Sequence, residues 1–158
     1  MSLLTPDILA WVGRSFAFKS DPISLSEARR FIAASGDDNP LYSLPKVGEA
    51  PDESTPVPPM LYYASTRPLA PSEDFADDGT VAEHRPLIGT GQTMGGSVEM
   101  EWLETLMLGD QLQGTRTLAS LTEKKGRKRD FVVAEWITEY RDQNGRPMVR
   151  ERYEQILF

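Results

Sequence analysis

The second half of the chain alternates apolar and polar residues with the period that is typical of antiparallel strands. In Gly95–Trp102 the apolar Val98, Met100 and Trp102 point one way and polar residues the other, which predicts a half-buried strand. The same signals, with β-branched and aromatic residues, predict three more strands: Gln111–Leu121, Asp130–Tyr140 and Arg146–Phe158. This half of the chain is therefore predicted to be a run of successive strands.

Turn signals separate these predicted strands. Leu108-Gly109-Asp110 follows the first strand, Gly126 follows the second, and Asn144-Gly145 follows the third. Asn-Gly between two strands is the strongest short hairpin signal, and it predicts a type I′ turn. Short connections favour pairing between consecutive strands, so we predict an antiparallel meander.

The first half of the chain predicts helices and one further strand. Thr5-Pro6-Asp7 is typical of a helix start, with Thr5 as the N-cap, and Ser15–Ile23 alternates weakly, like a strand. Ser24-Leu25-Ser26-Glu27 has the pattern of a capping box, in which Ser24 and Glu27 each bond the other's amide. The helix that it opens is predicted to run from Leu25 to about Ala34 and to stop at Gly36.

An apolar stretch in the middle of the chain is the candidate cover for the sheet. Met60–Ala64 predicts a short buried helix that ends before Pro68, between long polar connections at 37–58 and 71–84. Helices and strands are segregated along the chain, which is typical of the α+β class. We therefore predict one domain over 1–158, a curved antiparallel sheet wrapped around a central helix, as in the hotdog fold.

Composition argues against several classes of function. The 158 residues carry a net charge of −7 and no Cys, which argues against nucleic acid as a partner and excludes disulfide or thiolate chemistry. No apolar run approaches the roughly 18 residues of a membrane span, and the first residues lack the features of a signal peptide. We expect a cytoplasmic protein with no membrane partner.

One segment of this acidic chain is strongly basic, Lys124-Lys125-Gly126-Arg127-Lys128-Arg129. A charge run at a hairpin turn is usually a solvated face. The alternative is a docking site for the phosphates of a nucleotide-bearing ligand such as coenzyme A. Both interpretations stay open at this point.

A polar motif follows the predicted helix, Gly36-Asp37-Asp38-Asn39-Pro40-Leu41-Tyr42. Asp and Asn favour caps and turns, so a helix end followed by a turn accounts for this segment without any chemistry. The segment also resembles the signature of the MaoC-like hydratases, which reads Gly-Asp-x-Asn-Pro-x-His in catalytic members. The functional and the structural interpretation of the motif are therefore both kept.

Further matches extend this resemblance over nearly the whole chain. Pro58-Pro59-Met60 stands where the family enters its central helix, and Gly95-Gly96 precedes a strand and then Leu108-Gly109-Asp110. This combination resembles the FAS1-like, or N-terminal MaoC, dehydratase domains. In catalytic relatives an Asp and a His activate the water that adds to an enoyl thioester, and a backbone amide of the central helix polarises the thioester carbonyl.

The resemblance implies two sets of site residues and no cofactor or metal ion. The catalytic-motif positions are Asp37, Asn39 and Tyr42, and the substrate-binding positions are Pro59, Met60, Gly95 and Gly96. At the position of the histidine base this chain has Tyr42, and a tyrosine with a pKa near about 10 is a poor base at neutral pH. The chain's one histidine, His84, lies in a polar loop, and nothing in its spacing assigns it to the site.

Three hypotheses follow from the altered motif. The first is a hydro-lyase subunit: the non-catalytic, substrate-tunnel half of an enoyl-CoA hydratase or 3-hydroxyacyl-thioester dehydratase, paired with a catalytic hotdog. The second is a homodimeric module that binds acyl-CoA without turnover. The third is a hotdog thioesterase that uses Asp37 and water. All three imply an acyl-CoA or acyl-carrier thioester as ligand, and an exposed sheet edge implies pairing with an identical or a different chain.

Overall fold

A five-stranded antiparallel sheet organises the chain. The computed structural model describes residues 2–46, 48–50, 54–66, 71–75 and 85–158. The strands are β1 Ser15–Lys19, β2 Thr93–Trp102, β3 Gln113–Lys124, β4 Phe131–Arg141 and β5 Pro147–Leu157. Their order across the sheet is β1-β3-β4-β5-β2, so β1 and β2 form its two edges.

The predicted meander is right for three strands and wrong for the fourth. β3, β4 and β5 pair successively, but β2 pairs with β5 and not with β3. The chain after β2 crosses the end of the sheet, where the Leu108 amide donates to the Thr55 carbonyl and the Gly109 amide donates to the Ile23 carbonyl, each at 2.9 Å. These partners are distant in sequence, so local turn signals could not distinguish a crossing from a hairpin.

Three α-helices and two short 3-10 helices accompany the sheet within the described residues. They are α1 Pro6–Leu9, α2 Leu25–Ser35 and α3 Leu61–Ser65, with 3-10 turns at Pro40–Tyr42 and Ser72–Asp74. All three predicted helices are thus confirmed, although α3 is shifted by one residue. The predicted end of α3 before Pro68 lies outside the described residues.

The caps of α1 and α2 follow the sequence signals closely. The Thr5 hydroxyl accepts from the Ile8 amide at 3.4 Å, and the Ser24 hydroxyl accepts from the Glu27 amide at 3.1 Å. Gly36 ends α2 in the left-handed conformation, with φ of 65°. The second half of the capping box is wrong, because within the described residues Glu27 does not bond the Ser24 amide. Its carboxylate instead accepts from the Ser65 hydroxyl at 2.7 Å.

β1 is shorter than predicted because the Ser20 hydroxyl takes the place of a backbone carbonyl in the pairing with β3. The strand ends at Lys19 rather than at Ile23. Beyond it the Ser20 amide donates to the Leu112 carbonyl at 2.8 Å, and the Leu112 amide donates to the Ser20 hydroxyl at 2.9 Å. Pro22 then has no amide to offer to the ladder, so regular pairing stops.

The hairpin between β4 and β5 is present, but its turn is not of type I′. A type I′ turn needs positive φ at both central residues. Gly145 has φ of 82°, but the φ of Asn144 is not positive. The Asp142 carboxylate instead organises the loop by accepting from the amides of Asn144 and Arg146, at 2.9 and 2.8 Å. An aspartate before the Asn-Gly pair therefore decides the turn geometry.

Two apolar clusters fill the space between the sheet and the elements that cover it. The first lies under α2 and α3 and includes Ala28, Leu61, Tyr62, Leu112, Tyr140 and Met148. The second lies under the N-terminal segment and includes Leu118, Val132, Ala134, Trp136 and Leu157, with Leu4, Ile8 and Trp11 packed against it. The predicted central helix therefore covers only part of the sheet, and the N-terminal segment covers a second part. Among the described residues, no helix is long and apolar enough to cross a membrane.

Candidate functional site

The motif loop follows α2 and is folded by its own polar side chains. The Asp37 carboxylate accepts from the Asn39 amide at 3.0 Å, and the Asn39 side-chain oxygen accepts from the Leu41 amide at 3.0 Å. Asn39 thereby caps the 3-10 turn Pro40–Tyr42. The structural interpretation of this motif, a helix end followed by turns, is therefore confirmed. A catalytic use of Asp37 and Asn39 stays a prediction.

Tyr42 ends this turn and is half-buried, with its amide donating to the Asn39 carbonyl at 3.0 Å. The loop beyond it is tied back to the body of the molecule. Leu44 packs against the first apolar cluster, and the Arg29 guanidinium donates to the Pro45 carbonyl. The position that carries the base in catalytic relatives is therefore held by a fixed loop. His84, the alternative base, lies outside the described residues.

The entrance to α3 combines buried prolines with an exposed Met60. Pro58 is buried and Pro59 half-buried, and their carbonyls accept from the amides of Leu61 and Tyr62 at 3.0 and 3.2 Å. Proline carries no amide, so Met60 provides the first amide of this segment. Within the described residues that amide has no hydrogen-bond partner. This N–H group is therefore a donor that could meet a ligand carbonyl.

A buried carboxylate lies where the sequence predicted none. Glu151, on β5, is 8% exposed and accepts from the Tyr62 hydroxyl of α3 at 2.6 Å. The Tyr62 hydroxyl also lies 3.1 Å from the sulfur of Met100 on β2. A signal for Glu151 exists in the sequence, since it alternates in phase with the inward-facing Val149 and Leu157.

Glu151 belongs to a polar row across the inner face of the sheet. Arg116, Thr138 and Glu151 are register partners on β3, β4 and β5. The Arg116 guanidinium lies 4.1 Å from the ring centroid of Trp136, a cation–π contact that holds the cation against the apolar face. Arg116 is a hydrogen-bond donor in this row, and Glu151 is an acceptor. Among the described residues, no group of three His, Cys, Asp or Glu side chains could hold a metal ion.

Gly95 and Gly96 lie on the edge strand β2, and packing explains the second of them. The register between β2 and β5 shifts between Gly95 and Val98, so two residues of β2 face one residue of β5, as in a β-bulge. A Cβ at Gly96 would lie 2.9 Å from the Glu154 carbonyl oxygen. A Cβ at Gly95 would meet only the Tyr153 hydroxyl, at 3.5 Å. Substrate binding by this pair stays a prediction.

Most residues of β2 are exposed, so the strand is less buried than the prediction of a half-buried strand. Met94, Val98 and Trp102 are 53%, 52% and 40% exposed. Val98, Met100 and Trp102 do share the inner face, because their partners Tyr153, Glu151 and Val149 alternate in step. The pattern identified the face correctly, and Tyr62 of α3 contacts Met100 and Trp102 on it, with the Tyr62 and Trp102 ring centroids 5.4 Å apart.

Two buried aspartates mark the corners of the fold, and their pKa values shift in opposite directions. Burial raises the pKa of Asp110, although its carboxylate accepts from the Met107 amide at 2.8 Å. Burial acts in the same sense on Asp142, but the amides of Arg146 and Asn144 and the Arg146 guanidinium outweigh it and lower the pKa of Asp142. The Leu108-Gly109-Asp110 motif is thus a structural corner.

A cleft of about 350 Å³ lies between the start of α2 and α3, away from the predicted site residues. Phe31, Leu61 and Ala64 contribute its apolar lining, and Glu27 and Arg30 contribute its charged lining. None of the seven predicted site residues lines it. The structure thus does not gather the motif loop, the α3 entrance and the glycine pair around this cleft.

Comparison with known proteins gives a family match and one curated relative. The family model described as FAS1-like, dehydratase domain region, matches residues 10–151. A probable enoyl-CoA hydratase alpha subunit of Thermomonospora curvata is 26% identical over 164 residues, which cover 94% of this chain and 50% of that protein. The chain thus spans about half the length of this curated relative.

Solved structures are similar in fold at low sequence identity. A chain of the ChsH1-ChsH2 complex from Mycobacterium tuberculosis matches with a TM-score of 0.66 and 14% identity, over 96% of this chain and 87% of that chain. The MaoC-like dehydratase from Rhodospirillum rubrum matches with a TM-score of 0.60 and 16% identity, over 93% of this chain and 92% of that chain. The predicted α+β hotdog fold is confirmed.

Proposed function

Since this chain belongs to the family of FAS1-like dehydratase domains, we propose that it is the non-catalytic half of an acyl-thioester hydratase. The enzyme would add water reversibly to a 2-enoyl thioester, or remove it from a 3-hydroxyacyl thioester. This chain would form one hotdog of the pair and shape the acyl tunnel. A second, catalytic hotdog would supply the Asp and His that activate water.

The observation that carries this proposal is Tyr42 at the position of the catalytic base. A tyrosine side chain has no imidazole, so this position lacks the histidine base that activates water in catalytic relatives. Asp37 and Asn39 keep the turn that presents this position, through the bonds from the amides of Asn39 and Leu41. The loop therefore keeps its shape while its base has been lost, which suits a half that binds but does not activate water.

The edge strand β2 supports pairing with a second hotdog. An open edge carries unpaired amides and carbonyls, and adding a strand there satisfies them. The exposed Met94, Val98 and Trp102 lie along this same strand. One of the similar solved structures is itself a complex of two named chains, ChsH1 and ChsH2. A partner strand laid along β2 would cover both the backbone edge and these side chains.

The α3 entrance supports thioester binding by this half. Within the described residues the Met60 amide has no hydrogen-bond partner, and it follows two prolines that have no N–H to donate. Gly95 leaves space at the edge strand for a close approach, since a Cβ there would meet only the Tyr153 hydroxyl at 3.5 Å. We expect these positions to contact the acyl chain or its thioester, while bond making takes place at the partner's motif.

The direct test is a hydratase assay with crotonyl-CoA and a longer enoyl-CoA, followed at the enoyl-thioester absorbance. The chain alone should bind without turnover, and its complex with a co-expressed MaoC-like subunit should be active. Asp37→Ala in this chain should leave most of that activity, whereas substitution of the partner's motif histidine should abolish it. Turnover by the chain alone that is lost in Asp37→Ala would overturn the proposal.

A matched pair of surface variants tests the interface. Val98→Lys places a charge on the proposed contact strand, and Leu9→Lys places one on α1 at a similar exposure of 47%. The first should reduce co-purification with the partner subunit, and the second should not. A complex that tolerates Val98→Lys unchanged would rule out β2 as the contact. Self-association of this chain through β2, with no affinity for a second hotdog, would favour a homodimeric binding module.

A further inference from the structure

The turn between β3 and β4 concentrates positive charge in an acidic protein. Five of the six residues from 124 to 129 are Lys or Arg, while the whole chain carries a net charge of −7. All five cationic side chains are exposed. Glu123 and Asp130 are the acidic residues that flank the turn. The chain is thus electrostatically polarised, with a cationic tip on an otherwise acidic molecule.

Four of the five cations of the turn differ from those of the neighbouring sheet in how their side chains are paired. On the sheet, Arg150 pairs with Glu101 and Glu139 at 3.6 and 3.4 Å, and Arg152 pairs with Glu99 and Glu135 at 3.3 and 3.0 Å. Within the described residues, four cations of the turn have no hydrogen bond and no ion pair from their side chains: Lys124, Lys125, Arg127 and Lys128. Their charge is therefore available to an external anion.

The fold holds this cationic turn in place. Lys124 is in register with Phe131, so the strands are paired up to the turn itself. Arg129 lies 3.9 Å from the ring centroid of Phe158, whose ring is 6.1 Å from that of Phe131. A fixed platform presents the charges without the entropy cost of ordering a loose loop on binding.

The turn lies at the same end of the sheet as the predicted glycine pair. Thr93, at the start of β2, is in register with Leu157 of β5, which is in register with Val132 of β4. Gly95 follows Thr93 by two positions on β2, and Val132 follows the start of β4 by one. The charged turn and the predicted substrate-binding glycines therefore share one end of the sheet.

We propose that the β3–β4 turn is a docking surface for the acidic face of a carrier domain that delivers the acyl thioester. This inference rests on the proposed function and selects a protein-bound substrate over free coenzyme A. Small-ligand sites are concave and converge a few polar groups on the ligand. Here the cations are spread along a projecting turn, which suits the broad, complementary surface of another protein and would speed its encounter.

The test compares two charge-reversal triples in the assembled complex with the catalytic partner. One is Lys125→Glu, Arg127→Glu and Lys128→Glu in the turn. The control is Lys19→Glu, Arg30→Glu and Lys46→Glu, at exposed positions elsewhere, which lowers the net charge by the same amount. The probes are a crotonyl-loaded acyl carrier protein, crotonyl-CoA, and the holo carrier protein without an acyl group. Rates and affinities are measured at low and at high salt.

The turn triple should lower kcat/KM for the crotonyl carrier on the order of tenfold at low salt, by slowing encounter, and less at high salt. It should leave kcat/KM for crotonyl-CoA unchanged, and the control triple should leave both unchanged. An unchanged carrier rate would mean a solvated turn, and an equal loss with both substrates would assign the turn to coenzyme A phosphates. Either result overturns the proposal. Binding of the holo carrier tests docking even if the complex has no hydratase activity.

Discussion

The strands β4 and β2 have similar sequence patterns and very different surroundings. Along β4 every second residue from Val132 to Tyr140 is buried, because β3 and β5 flank it and helices cover its inner face. Along β2 the same alternation leaves Val98 and Trp102 about half exposed. One strand lies in the middle of the sheet and the other at its edge. Alternation thus predicts which face a side chain takes, whereas position in the sheet decides whether that face is covered.

The largest effect should come from removing a tryptophan from each strand. Trp136→Ala empties a fully buried site on β4 and should destabilise the fold by about 3–5 kcal/mol, through lost burial and the cavity left behind. Trp102→Ala on β2 removes a half-exposed ring and its edge-to-face contact with Tyr62, so it should cost the isolated chain less, about 1–2 kcal/mol, and also weaken association with the partner. Urea unfolding of the isolated chain measures both. Equal losses would show that β2 is covered in the single chain.

A pair of glycine substitutions sharpens the comparison between interior and edge. Gly114 on β3 faces the Phe18 ring, and a Cβ there would lie 2.1 Å from the nearest ring carbon. Gly114→Ala should therefore destabilise by about 1–3 kcal/mol through overpacking. Gly95→Ala on β2 meets only the Tyr153 hydroxyl at 3.5 Å and should change the unfolding free energy little. The midpoints of urea unfolding test this ranking, and a costlier Gly95→Ala would reverse it.

The contact that links α3 to the inner face of β5 should have a similar effect. Tyr62→Phe removes the hydroxyl that Glu151 accepts from and leaves a buried carboxylate without this donor, at a cost of about 1–3 kcal/mol. Adding Glu151→Gln to Tyr62→Phe should recover part of the loss, because it removes the buried charge. A double-mutant cycle by urea unfolding measures the coupling. Additive single losses would show that the two groups do not interact.

The smallest effect should come from the two corner aspartates, and its sign should differ between them. The pKa of Asp142 is lowered by folding, so its contribution is present above its unfolded pKa of about 3.9 and is lost as pH falls through the folded value. The pKa of Asp110 is raised by folding, so its contribution is present below the unfolded pKa and is lost as pH rises through the folded value.

Asp142→Asn should therefore lower stability at pH 7 and lose its effect under acid conditions. Asp110→Asn should raise stability at pH 7, since its amide oxygen still accepts from Met107 without a buried charge, and this gain should also vanish in acid. Urea unfolding between about pH 3 and pH 7 gives both slopes. Matching slopes of the same sign for the two variants would contradict the opposite pKa shifts.

Local elements were the most predictable part of this fold. Thr5 and Ser24 cap helices because a hydroxyl before a helix reaches the amides of its first turn, which depends on a few neighbouring residues. Gly36 likewise ends α2, because glycine enters the left-handed region without strain. The pairing of β2 with β5 escaped prediction because strand order depends on contacts between distant residues. The predicted turn type at Asn144-Gly145 was wrong because the Asp142 carboxylate accepts hydrogen bonds from the loop amides.

The candidate site was predictable as a set of motif positions but not as a geometry. Asp37, Asn39 and Tyr42 lie in one short loop, so the motif alone could identify them together. Glu151 was missed, although its phase along β5 placed it on the inner face. Its contact with Tyr62 spans 89 positions of the chain, and no local pattern reports such a pairing.

Sequence alone determined the class of the fold, the caps of α1 and α2, the inward phase of each strand and the presence of Tyr42 at the predicted motif position. These features depend on residue type and short-range spacing, both of which can be read from the sequence. Only the tertiary structure decided which strands are neighbours, that β2 lies at an edge of the sheet with Val98 half exposed, and that Arg150 and Arg152 form ion pairs. Those properties depend on which distant segments meet, because burial and ion pairing are properties of contacts and not of single residues.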